Sequence, residues 1–136
     1  MKNLSTQIAT TREQSERLLA MGVKPETADM CYNTYHDTPD KKVEVDINHT
    51  GANLYIDRKY IPAWSLSRLI SIMPHYIYSI PYHLSVSHGL VKYTHPKVGD
   101  KIGWCMNNIF DNCVSMIDWL IKFNLLNKEY LKGDNQ

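Results

Sequence analysis

Apolar positions recur along this chain with two different periods, and the switches between them mark its elements. After a polar lead-in at residues 1–9, segment 10–22 places Thr10 three residues before Glu13, the spacing of a capping box. It closes on Gly22, suited to a left-handed C-cap. Pro25, followed by Glu26, predicts a second short helix continuing to Met30. A polar loop over 32–42 leads to residues 43–47, where Val43, Val45 and Ile47 alternate with Glu44 and Asp46, the period-two pattern of a half-buried strand. Residues 49–53 read as a turn and 54–56 as a short return strand, before Asp57, Arg58 and Lys59 cross the surface.

The plainest helical signal lies in 61–74. Ser65 can cap a helix whose Leu66, Leu69, Ile70 and Met73 fall at i, i+3, i+4 and i+7, and Pro74 stops it. Trp64, just outside the cap, is placed to pack back on Leu69 or Ile70 as a staple-like contact.

The strongest period-two signal runs over 82–95. A two-residue turn at His88 and Gly89 sets Val86 opposite Val91, Leu84 opposite Tyr93, Ser85 opposite Lys92 and His83 opposite Thr94, so one face is apolar and the other polar. A second turn at 96–100 leads to a third strand over 101–106, with Ile102, Trp104 and Met106 on one side. A long helix follows, capped by Asn107 or Asn108, with Phe110, Cys113, Val114, Ile117, Leu120 and Ile121 on one broad stripe that should cover the meander. These elements predict an α+β fold, a small antiparallel sheet (a meander of about three to five strands) packed against two or three main helices. The expectation is a single domain over 1–136, with 1–9 and 133–136 disordered.

Composition agrees with a packed core: 43% of residues are apolar and 21% charged, which excludes wholesale disorder. Fifteen basic against fourteen acidic residues leave a net charge of +1, so no general field draws the chain to nucleic acid or an anionic membrane. Nucleic acid is therefore an unlikely partner. No run reaches the roughly 18 apolar residues of a spanning helix, so no membrane association is expected. Cys31, Cys105 and Cys113 lack Cys-x-x-Cys spacing, and Met1 to Thr10 lacks the apolar core of a secretory signal. A reducing cytoplasm is the expected compartment.

Candidate chemistry is sparse. His83, His88 and His95 lie close together in sequence and are the first residues to inspect for a ligand site. On the expected hairpin, however, they fall on the polar face, in the turn and on the apolar side, so they do not converge on a metal. Ser87 and His88 lack a nucleophile elbow, and Cys105, before a helix start, is more simply a structural thiol. Glu44 and Asp46 fit a solvated strand face, while Asp111 fits the first turn of a helix. No phosphate-binding loop or dinucleotide fingerprint occurs, and no cofactor is expected. Aromatic residues are the one excess, with nine Tyr, three Trp and two Phe. Trp119 lies off its helix's best stripe, and Tyr76 and Tyr78 follow Pro74 in an irregular segment; all three are candidate interface residues. A nucleic-acid stacking platform would need basic residues among the aromatics, and only Lys92 and Lys101 are near.

Several segments together carry a family likeness: Glu13-Gln14-Ser15 with Arg17-Leu18-Leu19 and Gly22-Val23, Thr27-Ala28-Asp29-Met30, Ile61-Pro62-Ala63-Trp64-Ser65-Leu66, and the helix around Val114 to Leu120. The chain resembles a group of small uncharacterised proteins encoded in phages and prophages of gut bacteria. The resemblance implies a mobile-element origin and a bacterial cytoplasm, and it transfers no activity or catalytic residue. The leading expectation is a non-catalytic accessory protein acting through protein contacts, with an unknown protein or a second copy of itself as partner. The alternatives are a small-ligand-binding protein or enzyme whose site forms only in the fold, and a nucleic-acid-associated regulator.

Overall fold

Buried polar groups decide the first unit. A computed structural model describes residues 7–33, 39–41, 60–105 and 108–133. The strand expected at 43–47, the turn at 49–53 and the segments at 54–56 and 57–59 lie outside them. The chain divides into two compact units, Met1–Arg68 and Leu69–Gln136.

In the first unit, helix α1 (Arg12–Ala20) is capped by Thr11 with Gln14 as its box partner, one residue later than Thr10 and Glu13. Thr11 Oγ1 accepts the Gln14 N–H at 3.1 Å and Gln14 Oε1 accepts the Thr11 N–H at 2.9 Å. Thr10 is unavailable as a cap because it is fully buried and otherwise engaged. Its hydroxyl pairs with Ser15 Oγ at 2.8 Å and accepts the Trp64 N–H at 3.0 Å. Its own N–H donates to the Trp64 carbonyl at 2.9 Å, and its carbonyl accepts the Tyr32 hydroxyl at 2.8 Å. The helix ends as expected on Gly22, at φ +102. There the Gly22 and Val23 N–H groups reach back to the Leu19 and Leu18 carbonyls, and buried Leu18 and Val23 complete a Schellman motif.

The second helix shrinks to a single 3-10 turn, Pro25–Thr27, and the chain enters strand β1 (Met30–Asn33) at once. Thr27 explains the stop. Its hydroxyl donates to the Lys24 carbonyl at 2.7 Å and accepts the Trp64 indole N–H at 3.0 Å, a local bond that competes with helix continuation. Antiparallel β1 lies between β2 (Asp40–Lys41) and β3 (Tyr60–Ala63), an outer strand that tolerates Pro62. Ala9, Tyr32 and Ala63 pack together with Met30 and Ile61 beside them. Thus Tyr32, placed in a loop by its polar neighbours, is a buried strand residue.

Helix α2 (Leu66–Ile72) follows, with Ser65 Oγ accepting the Arg68 N–H at 3.1 Å as its cap. Asp29 holds that cap, its carboxylate accepting both the Ser65 N–H (2.8 Å) and the Ser65 hydroxyl, while Arg68 Nε donates to the Thr27 carbonyl at 2.6 Å. Leu69, Ile72 and Met73 are buried, so the covered stripe includes Ile72 where Ile70 was expected.

The second unit contains a four-stranded antiparallel meander: β4 (Tyr76–Ile77), β5 (Tyr82–Ser87), β6 (Leu90–His95) and β7 (Gly99–Trp104), paired in that order. The β5–β6 register is the one the alternation predicts. His88 at φ 52 and Gly89 at φ 83 both take positive φ, the mirror-image turn whose twist matches the strands it joins. Strand β7 starts two residues earlier than expected, and a bulge leaves Lys101 unpaired between the Tyr93–Ile102 and Thr94–Asp100 pairs. Tyr76, expected in irregular chain, pairs with His83 in β4.

Helix α3 (Ile109–Lys122) covers the apolar face and is capped by Asn108, whose Oδ1 accepts the Asp111 N–H at 2.8 Å. Phe110, Cys113, Val114, Met116, Ile117 and Leu120 are buried, each large side chain contributing about 1.5–3 kcal/mol. Among them Asn112 is also fully buried, its amide donating to the Gly89 carbonyl at 2.8 Å and anchoring the hairpin turn to the helix. The helix closes on a second Schellman motif, with Asn124 at φ 59 where Gly22 stands in α1.

Two stability measurements test these accounts. Thr10→Val, equal in shape but without the hydroxyl, strands the buried Trp64 N–H and is expected to lower unfolding free energy by about 2 kcal/mol in urea titration. His88→Asn, which suits positive φ better, is expected to raise it by about 0.5 kcal/mol.

Candidate functional site

Alternation along the meander sorts its side chains into rows across the apolar face. Val86, Val91 and Trp104 form one row and Leu84, Tyr93 and Ile102 the next. Val91 and Tyr93 are fully buried, and the Tyr93 hydroxyl donates to the Pro74 carbonyl at 2.6 Å. A third row, Ile77, Tyr82, His95 and Gly99, continues the same face. Ile77 is buried in it and Tyr82 and His95 are half-buried, as Leu84, Val86, Ile102 and Trp104 are in the first two rows.

This third row leads to an aromatic cluster at the surface. Tyr78, at φ 68, sets its ring edge-on to Tyr82 with centroids 6.3 Å apart and planes at 81°. Tyr82 meets His95 at 6.0 Å and 68°. Lys101, the bulge residue, places its ammonium 5.6 Å from the Tyr78 ring centroid, a cation–π contact. His95 Nδ1 accepts the N–H groups of Lys97 and Val98 at 3.1 and 3.3 Å, which assigns the neutral ring's proton to Nε2 and shapes turn 96–98. Exposure is high where burial would be expected of such side chains: Tyr76 64%, Tyr78 45%, Ile80 53% and Val98 60%.

The residues singled out from the sequence separate in this frame. Tyr78 and His95 belong to the cluster. Tyr76 alternates with buried Ile77 and so lies on the polar face, in the row of His83 and Thr94. His83 is half-buried on that face and His88 is exposed in the hairpin turn, so the structure does not bring the three histidines together. Among the described residues no group of three His, Cys, Asp or Glu side chains is placed to hold a metal ion. Trp119 is half-buried on α3 and packs against exposed Phe123, with centroids 5.0 Å apart and planes tilted at 38°, apart in sequence and element from the cluster. Tyr82, Ile80 and Val98 were not among the candidate site residues, and Lys101 was named only as a basic residue near the aromatics. The available signal was an apolar residue in each of two turn-rich stretches, Ile80 before Pro81 and Val98 before Gly99.

Other reactive groups are quiet. Asp118 pairs with Lys122 at 3.1 Å across one helical turn. Burial raises the Cys113 thiol from 9.0 to about 12, leaving it a small apolar side chain at neutral pH. Burial also raises the phenols of Tyr93 and Tyr32, the latter against the opposing pull of the Arg12 guanidinium, which lies over its ring. Cys105 is exposed and Cys31 buried. A cavity of about 200 Å³ opens at the C-terminal end of α3, lined by Ile121, Asn124, Leu126, Lys128 and Leu131 among others. It contains none of the histidines.

Among the described residues, no helix is long and apolar enough to cross a membrane. Comparison of the chain with protein-family models, with curated proteins and with solved structures finds no match.

The thiols give a test with a defined sign. In the unfolded chain Cys113 releases its proton near its ordinary 9.0, whereas the folded protein keeps it to about 12, so the unfolded state holds fewer protons in between. Its contribution to stability is therefore complete below pH 9 and is lost as pH rises toward 12. The urea midpoint should fall through this window, and Cys113→Ala should fall less steeply relative to its own neutral value. At neutral pH a thiol reagent should label Cys105 rapidly, and Cys31 and Cys113 only on unfolding.

Proposed function

We propose that the protein is a non-catalytic accessory protein of a phage or prophage, acting in the cytoplasm by docking a protein partner on the aromatic end of its meander. The observation that carries this is the Tyr78–Tyr82–His95 cluster, where a core face runs out into solvent flanked by exposed Ile80 and Val98. Apolar and aromatic side chains gathered at a surface cost hydration that a partner recovers, and tyrosines with a cation beside them are typical anchors of protein interfaces. The phage origin rests on the sequence resemblance around Pro62, Ala63, Trp64, Ser65 and Leu66. A small-ligand role is the second reading, favoured by the cavity at the end of α3.

Quantitative affinity capture from cells carrying the gene tests the docking role. Tagged wild type is expected to retain a partner that a Tyr78→Ala/Val98→Ser variant loses by at least tenfold, the scale of an anchor residue. A Phe123→Ser variant, altered on α3, should retain it. Equal capture by wild type and both variants, or capture of nothing above background, would refute docking at this surface.

A further inference from the structure

A cation lies on the aromatic cluster, and the acid next to it in sequence is already engaged. Lys101 holds its ammonium over Tyr78, and exposed Lys97 sits in the turn that His95 shapes. Asp100 lies beside Lys101 in sequence, but its carboxylate forms an ion pair with Lys92 at 3.2 Å. Hydrogen bonds from Thr94 and then Lys92 hold it below the usual carboxylate range.

This charge pattern discriminates among occupants. A second copy related by two-fold symmetry would bring this lysine-bearing patch against itself, a like-charge approach that opposes association. Single-stranded nucleic acid would need open ring faces on which successive bases stack. Here the rings meet edge to face at 81° and 68°, and one face of Tyr78 is taken by Lys101. A peptide with a large apolar side chain and a neighbouring carboxylate matches both features. Its apolar group can contact the ring edges, Ile80 and Val98, and its carboxylate can meet an ammonium already positioned by the ring beneath it.

Resting on the docking role proposed above, we infer that this surface binds an acidic segment of a partner protein, with an apolar anchor among Tyr78, Tyr82 and His95 and a carboxylate on Lys101. The positive margin also speeds encounter with such a segment, so binding weakens as salt rises.

Selection of random linear peptides by ribosome display against the full chain tests the inference. Enriched peptides are expected to combine Asp or Glu with Leu, Ile, Phe or Trp. A synthetic representative should lose at least tenfold in affinity on Tyr78→Ala and on Lys101→Glu. Changing its acid to Lys should restore much of the affinity for Lys101→Glu but not for wild type. Enrichment of neutral or basic peptides, indifference to Lys101→Glu, or no enrichment would overturn the acidic assignment. So would a thymidine oligonucleotide that displaces the peptide, or a concentration-dependent dimer abolished by Tyr78→Ala. Capture of a cellular partner that still depends on Tyr78 and Val98 would leave the docking role standing after such a failure; loss of that dependence as well would remove both.

Discussion

A two-residue hairpin turn leaves its strands one register, because a slip of one residue would turn every side chain to the opposite face. His88 and Gly89, both at positive φ, form that turn, and the Asn112 amide grips the Gly89 carbonyl from the covering helix. From this constraint follow the rows of the meander's apolar face, two centred on buried Val91 and Tyr93 and a third that continues them toward the surface. Tyr82 and His95 reach the surface on the core face because they share the parity of Leu84 and Tyr93, not because either was polar enough to prefer it. The candidate site is therefore a consequence of the register, built from side chains that continue the core.

The first unit solves a different problem, the satisfaction of buried polar groups. Burying Trp64 completely removes its indole and backbone N–H groups from water, and two threonine hydroxyls replace that water. Thr27 accepts the indole N–H and Thr10 the main-chain N–H, while Thr10 also takes part in bonds to Ser15 and, through its backbone, to Tyr32 and Trp64. Thr10's hydroxyl, so used, is lost to local capping, while Thr27's also donates to the Lys24 carbonyl. Hence the cap of α1 falls on Thr11, and the turn after Pro25 ends in a strand.

Legibility in the sequence divides along the same line. The hairpin register, the α2 cap at Ser65, an α3 cap at Asn107 or Asn108, the Gly22 stop and the α3 stripe, save that Met116 is buried and Ile121 only half-buried, could be read, because each depends on neighbours a few residues away. The Thr10 network could not, since its partners Tyr32 and Trp64 lie 22 and 54 residues distant. Asn112 read as an ordinary polar position on a helix, yet it is buried because the hairpin turn presents a carbonyl to it. For the site, Tyr78 and His95 were both singled out, one as an interface residue and one as a ligand candidate. That they share a cluster depends on ring positions set by Tyr82, and on a bulge that delivers Lys101 to Tyr78. No periodicity in a single strand reveals a bulge.

The outer strands of the meander limit how a partner could engage it. Sheet extension needs a long, regular edge with unpaired backbone groups, and both outer strands depart from that. Strand β4 has two residues, and β7 carries Asp100 and Lys101 at the site of its bulge, where the ladder is interrupted and the twist locally increased. These are devices that keep edges from pairing with other chains. The same bulge places Lys101 over Tyr78, so one irregularity both blunts the backbone edge and equips the side-chain surface at the end of the sheet. A partner docking at this end of the unit would therefore meet rings, aliphatic side chains and an ammonium, whose geometry discriminates by shape and charge, rather than a backbone edge, which would accept any extended chain.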